Sequence, residues 1–106
     1  AATVSEVDGV RLIGPDTVEA ARAEAVNGPD ACLVAPSRFG MGFMLDGELT
    51  PLLSGSGFGH AGAGGSLGYA DPENGVGYGY LMNQMHNGIA GDPRTIALND
   101  AVRSCL

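Results

Sequence analysis

The chain has no lysine and no tryptophan, and among its 106 residues there are only two histidines and two cysteines. Without lysine there can be no Ser-x-x-Lys pair within these residues, and no Lys-Ser or Lys-Thr pair to complete a P-loop. All five basic residues are arginines, scattered singly at Arg11, Arg22, Arg38, Arg94 and Arg103, against twelve acidic residues and a net charge of −7. A nucleic-acid partner demands a basic stripe that displaces phosphate counterions, so no nucleic-acid partner is expected, and an anionic membrane surface is disfavoured on the same ground. No apolar run approaches the roughly 20 residues that cross a bilayer, so no membrane span is expected. Neither His60 nor His86 has another His or Cys three or four residues away, so no metal site is expected. Cys32 and Cys105 lie far apart, form no C-x-x-C pair, and read as two small buried side chains.

What is abundant is glycine. It is densest in FGHAGAGGSLGYAD, from Phe58 to Asp71, where it crowds around His60. Glycine at this density lets a backbone come very close to a ligand or to another segment. A strand that offers bare N–H groups beside a site is a common means of holding a developing oxyanion. The stretch therefore reads as one wall of an active site. A hydrophobic content of 44% excludes wholesale disorder, and the length fits a single domain or a part of one, with a modest core.

Around residues 5–12 the pattern reads as a turn followed by a short extended piece. Gly14-Pro15 opens a helix, with Asp16 and Glu19 in its first turn, an apolar face of Val18, Ala21 and Ala25, and a stop at Asn27-Gly28-Pro29. FGMGFML, Phe39 to Leu45, alternates large and glycine positions and reads as a strand, and residues 48–57 as a loop. Three further strands are expected near 57–62, 66–70 and 76–83, the last two joined through Asn74-Gly75 as a hairpin. Val76, Tyr78, Tyr80 and Met82 share one face of the last strand, leaving Gly77 and Gly79 on a smooth opposite face that invites a helix. A terminal helix follows, with Asp92 as N-cap, Pro93 at its first position and a stripe of Leu98, Ala101, Val102 and Cys105. The class implied is α+β, an antiparallel sheet of three to four strands with one helix before it and one packed on it.

Several motifs compete for the chemistry. Gly57-x-Gly59-x-x-Gly62 matches the dinucleotide fingerprint, but Gly64, Gly65 and Gly68 follow it and no helix can open there, so a nucleotide cofactor is not expected. His86 reads as a solvated loop residue. His60 admits two readings, a strand histidine with a structural hydrogen bond or a site residue facing substrate. None of the six serines lies in G-x-S-x-G, and Ser66, near the glycine wall, has no evident base beside it. Tyr69, Tyr78 and Tyr80 read as packing.

The segments RFGMGFML, FGHAGAGGSLGYADPENGVGYGYLMNQM and DPRTIALNDAVRSCL, with EVDGVRLIGPDTVEAARAE before them, resemble the C-terminal part of the penicillin-recognising serine hydrolases, in particular the class C β-lactamase-like esterase branch. The resemblance covers nearly the whole chain. It implies that residues 1–106 form a single partial domain, the C-terminal portion of a serine hydrolase domain. In that family the strand beside the site carries a Lys/His-Thr-Gly triplet, and the matching residues here are His60, Ala61 and Gly62. Ala63 then supplies an oxyanion N–H from its backbone, and His60, Ala61, Gly62 and Ala63 line the substrate. His60 in place of lysine matches the esterase-like members, and Ala61 lacks the hydroxyl that holds a substrate carboxylate, which favours a small ester or amide over a β-lactam.

The family's Ser-x-x-Lys and its Tyr-x-Asn or Ser-x-Asn element are absent from the chain. The resemblance thus implies an acyl hydrolase whose serine comes from elsewhere, so that the chain alone is inactive and needs no metal or cofactor. Its expected partner is the N-terminal half that carries the nucleophile, or a second copy joined through Val76–Asn83. The rival reading is a non-catalytic binding or assembly module that keeps the fold. A Ser-x-x-Lys encoded upstream of Ala1 discriminates between them.

Overall fold

A computed structural model describes residues 6–106. Its order is α1 (Pro15–Arg22), β1 (Val26–Asp30), β2 (Ala35–Phe39), β3 (Met44–Leu45), β4 (Phe58–Ala61), β5 (Leu67–Asp71), β6 (Val76–Tyr80) and α2 (Pro93–Arg103). All six strands form one antiparallel sheet in sequence order, β1 to β6. The α+β class stands, with six strands where three to four were expected.

Two strands form where none was expected: β1 from the residues read as a helix stop, and β2 mostly from residues 35–38, for which no element was expected. Pro15 opens α1 as expected, but the helix ends at Arg22, with Ala23 already extended. Asn27-Gly28-Pro29 lies inside β1, the outermost strand, where a proline withholds no hydrogen bond from a neighbour. Asp30 builds the turn into β2: its Oδ1 accepts from the N–H groups of Cys32, at 2.7 Å, and Leu33, at 2.9 Å. Val34 completes the turn at φ 53°.

The alternation of Phe39 to Leu45 is not one strand. Gly40 N–H donates to Phe43 O, and Met41 N–H to Ala21 O, which folds the segment into a turn against the end of α1. A Cβ at Gly40 would overlap the Ala21 carbonyl oxygen, and Gly42 sits at φ 79°. Residues 48–57 form no helix or strand, as expected. Asp71 caps the β5–β6 turn through Oδ1, which accepts from Asn74 N–H at 3.0 Å and from Ser56 Oγ–H at 3.1 Å. Near the N-terminus, Val7 and Val10 exchange both backbone hydrogen bonds across an Asp8-Gly9 turn. Ser5 of that expected turn lies outside the described residues.

Successive strand residues face opposite sides, so the core divides in two. On one side Val18 of α1 packs with Leu45, Phe58 and Ala70. On the other, Leu52, Leu53, Leu67 and Tyr69 pack with Ala61, Tyr78 and Val102 of α2. Tyr69 and Tyr78 stack at 4.9 Å, the packing role expected of them. Helix α2 therefore covers the tyrosine face, and Gly68, Gly77 and Gly79 on the smooth face stay exposed. Its buried residues are Thr95 and Asn99, with Val102 half-buried, whereas Leu98, Ala101 and Cys105 of the expected stripe are exposed. Cys32, on the β1–β2 turn, and Cys105, past the end of α2, are both free and exposed, not buried.

Candidate active site

The glycine-rich wall is the β4–β5 hairpin. Gly62 N–H donates to Ser66 O at 2.8 Å and Gly65 N–H to Gly62 O at 3.1 Å, closing the loop Ala63-Gly64-Gly65. Gly64 at φ 91° and Gly65 at φ 113° take the left-handed backbone that this loop needs. Within β4, a Cβ at Gly59 would overlap the Gly68 carbonyl oxygen and stand 2.5 Å from Tyr69 Cα, so this crossing is a true close approach.

The direction of the backbone groups follows from the register. Gly62 points its N–H at β5, and antiparallel alternation turns Gly59 and Ala61 the other way, toward β3. β3 pairs with β4 only at Phe58 and Gly59. Among the described residues no strand pairs with that edge beyond Gly59. Among the described residues no backbone or side-chain acceptor outside the strand ladders takes the N–H of Ala63, which is exposed at the head of the loop.

His60 is exposed on the glycine face, with its ring 6.0 Å from that of Phe39. Its Nδ1 stands 2.6 Å from the Ala61 carbonyl oxygen. A carbonyl only accepts, so Nδ1 carries the proton in this contact and Nε2 is the ring nitrogen left free. Beside it, His60, Ser66, Gly68, Gly79, Tyr80 and Leu81 help line an open cleft of ≈ 390 Å³. The structure thus sets the backbone of Ala61 and the free N–H of Ala63 beside the exposed His60 ring, while Gly62 between them bonds across the hairpin to Ser66 and Gly65.

A second layer holds this edge in place. Gly64 N–H donates to Gly88 O at 3.0 Å, and His86 N–H to Gly64 O at 2.7 Å, docking the hairpin loop on residues 84–91. A Cβ at Gly65 would overlap the carboxylate of Asp92. That carboxylate is buried, caps α2 by accepting Arg94 N–H at 2.8 Å, and takes the Arg94 guanidinium on both oxygens, at 3.0 and 2.6 Å. Hydrogen bonds from the Arg94 side chain outweigh burial and hold the Asp92 carboxyl down to about 2. Arg94 also reaches Gln84 O at 3.0 Å, so one ion pair ties the helix start, the loop and the hairpin together. The sequence marked Asp92 only as a cap; nothing in local spacing signals its contact with Gly65.

No serine among the described residues hydrogen-bonds a histidine: Ser66 Oγ has no hydrogen-bond partner, and Ser56 Oγ is committed to Asp71. A cleft of ≈ 410 Å³ between β2 and residues 46–50 contains none of the hairpin residues, and its cation, Arg38, is already bound by Glu24 and Asp46 O.

A model of the family described as Beta-lactamase matches residues 1–102. The chain belongs to the beta-lactamase family. Within it, the chain is 36% identical over 83 residues to the Esterase/beta-lactamase LipL of Mycobacterium tuberculosis, covering 76% of this chain and 18% of that protein. A family VIII carboxylesterase superposes with a TM-score of 0.87 at 35% identity, over 99% of this chain and 28% of that one. A penicillin-binding protein homologue from Caulobacter crescentus gives 0.89 at 37%, over 99% and 29%. The chain thus spans less than a third of the length of each of these relatives. The beta-lactamase-like esterase relationship is the one the resemblance implied, and the α+β fold is the class implied by the pattern of strands and helices. No helix among the described residues is long and apolar enough to cross a membrane.

Proposed function

We propose that the chain is the oxyanion-side portion of a serine acyl hydrolase, a partial domain whose nucleophile comes from sequence outside it. The observation that carries this reading is the open edge of β4, where Ala63 presents an unpaired N–H beside His60. In the reaction a serine Oγ attacks the carbonyl carbon of a small ester or amide, and the bond to the leaving group breaks. Water then cleaves the acyl-enzyme to release the acid. Ala63 N–H stabilises the negative oxygen of each tetrahedral species, and His60 lies near the leaving group or acyl chain. His60, Ala61, Gly62 and Ala63 line the substrate.

The relatives support this assignment by their names, an esterase/beta-lactamase and a carboxylesterase, and by their greater length. The test is activity with and without the complementary half. The chain alone should not hydrolyse short p-nitrophenyl esters faster than free imidazole, and a fluorophosphonate should label none of its serines. Restoring the N-terminal half should restore both. Genuine turnover by the chain alone, with a labelled serine, overturns the proposal; no turnover with the half restored favours a non-catalytic binding module.

A further inference from the structure

We infer that Met85 is an oxidation-sensitive cover on the loop that carries Ala63, and that converting its thioether to a sulfoxide loosens that loop. What this means for catalysis rests on the reading of Ala63 as an oxyanion donor; the cover itself does not.

Gly64, the residue after Ala63, is buried, although every residue from 83 to 89 on the segment it docks against is exposed. Both of its backbone groups are tied to that segment, its N–H to Gly88 O at 3.0 Å and its carbonyl oxygen to His86 N–H at 2.7 Å. Such bonds net little while water competes for them, and hold more firmly where water is kept out. Met85 keeps it out on one side. A Cβ at Gly64 would stand 2.7 Å from Met85 Cε, 2.9 Å from Cγ and 3.1 Å from Cβ, so three carbons of the side chain lie on the glycine.

The same residue is 70% exposed, so a dissolved oxidant reaches it. With hydrogen peroxide the sulfur attacks one peroxide oxygen; an S–O bond forms, the O–O bond breaks and the other oxygen leaves as water. Sulfur loses two electrons and the peroxide gains them. The product is a polar, chiral group where an apolar one had been. It favours water over the Gly64 backbone, the cover lifts, and the two bonds beside Ala63 open more often. Met41 is the comparison within the chain: at 72% exposed it is as reachable, but it lies on the turn between β2 and β3. Met44 is buried, and its sulfur accepts from Thr50 Oγ–H at 3.2 Å.

The test treats the protein at its native length with hydrogen peroxide, locates the added oxygen by peptide mass spectrometry and follows amide exchange. Met85 and Met41 should each gain one oxygen before Met44 does. Exchange at Gly64 and His86 should then quicken about threefold, the share expected from a partly buried methionine side chain. Methionine sulfoxide reductases should reverse it. Met85→Leu, of similar volume, should keep the slow exchange and abolish the response to peroxide, whereas Met41→Leu should leave that response intact.

A Met85 that stays reduced while Met41 oxidises, unchanged exchange once Met85 carries its oxygen, or a peroxide response that survives in Met85→Leu each overturns the inference. None of these readings needs turnover. A protein without esterase activity can still show the response, and an active esterase can still fail to show it.

Discussion

The Tyr69 hydroxyl donates to Asn99 Oδ1 at 2.9 Å, and this bond joins the middle of β5 to the inward face of α2. Both residues are buried, and Asn99 passes the connection on by donating Nδ2–H to Pro51 O at 3.3 Å. Burial, with the Tyr78 and Asp71 charges nearby, pushes the Tyr69 phenol up to about 12. The neutral phenol is the form that donates.

Tyr69→Phe should destabilise the protein by about 1–3 kcal/mol, because it strands a buried acceptor while keeping the ring in its stack on Tyr78. A pH signature accompanies the loss. The folded value is raised above the unfolded one of about 10, so this contribution is complete below pH 10 and disappears as pH rises toward 12. Urea denaturation across that range should show a falling limb that is weaker in Tyr69→Phe; identical limbs would remove the phenol from the account.

Asp92 gives the opposite limb. Its folded value, about 2, lies below the unfolded value of about 3.9. Its contribution is therefore present above pH 4 and is lost as pH falls toward 2. Asp92→Asn should flatten that limb and loosen the hairpin loop, read as faster amide exchange at Gly64 and His86, the two donors that dock it on residues 84–91. Unchanged exchange at both would mean that the Asp92–Arg94 pair caps the helix without holding the site.

Ala63 heads the hairpin loop at the position after Gly62, where turns accept proline. Ala63→Pro therefore deletes the N–H with little damage to the loop, and Ala63→Gly keeps it. In the protein with its nucleophile present, the proline variant should lose about 10²–10³ in kcat and the glycine variant little. Equal losses would show that another N–H fills the oxyanion role.

The parts of this molecule that sequence exposed are those fixed by local chemistry. Asn74-Gly75 sets the β5–β6 hairpin, and Asp92-Pro93 starts α2 whatever lies around them. The parts it concealed depend on distant partners. Gly40 turns because it must pass under the carbonyl of Ala21, and Pro29 sits in a strand because that strand happens to be outermost. Apolar periodicity misplaced the inner face of α2 because Tyr69 and the Pro51 carbonyl require polar partners there, which Asn99 supplies. The triplet His60-Ala61-Gly62 and Ala63 were legible as a candidate wall, but the imidazole capping its own strand was not, since side-chain direction is absent from spacing.

The two edges of the sheet are protected unequally. β1 carries Asn27, Pro29 and Asp30, residues that discourage another strand from pairing. Among the described residues β6, Val76–Tyr80, bonds only to β5; it has neither charge nor proline, and Leu81 just beyond it is 86% exposed. A row of unpaired backbone groups beside Tyr78 and Tyr80 is a template for strand addition. The chain on its own should therefore self-associate through β6, or be recovered with a complementary segment paired there. Sedimentation at micromolar concentration, with amide exchange over residues 76–83, reads both alternatives. Association with slowed exchange in that segment is the expected result. A monomer in which the same amides are protected would mean that the chain completes its own sheet, and the reading of it as a partial domain would then fall.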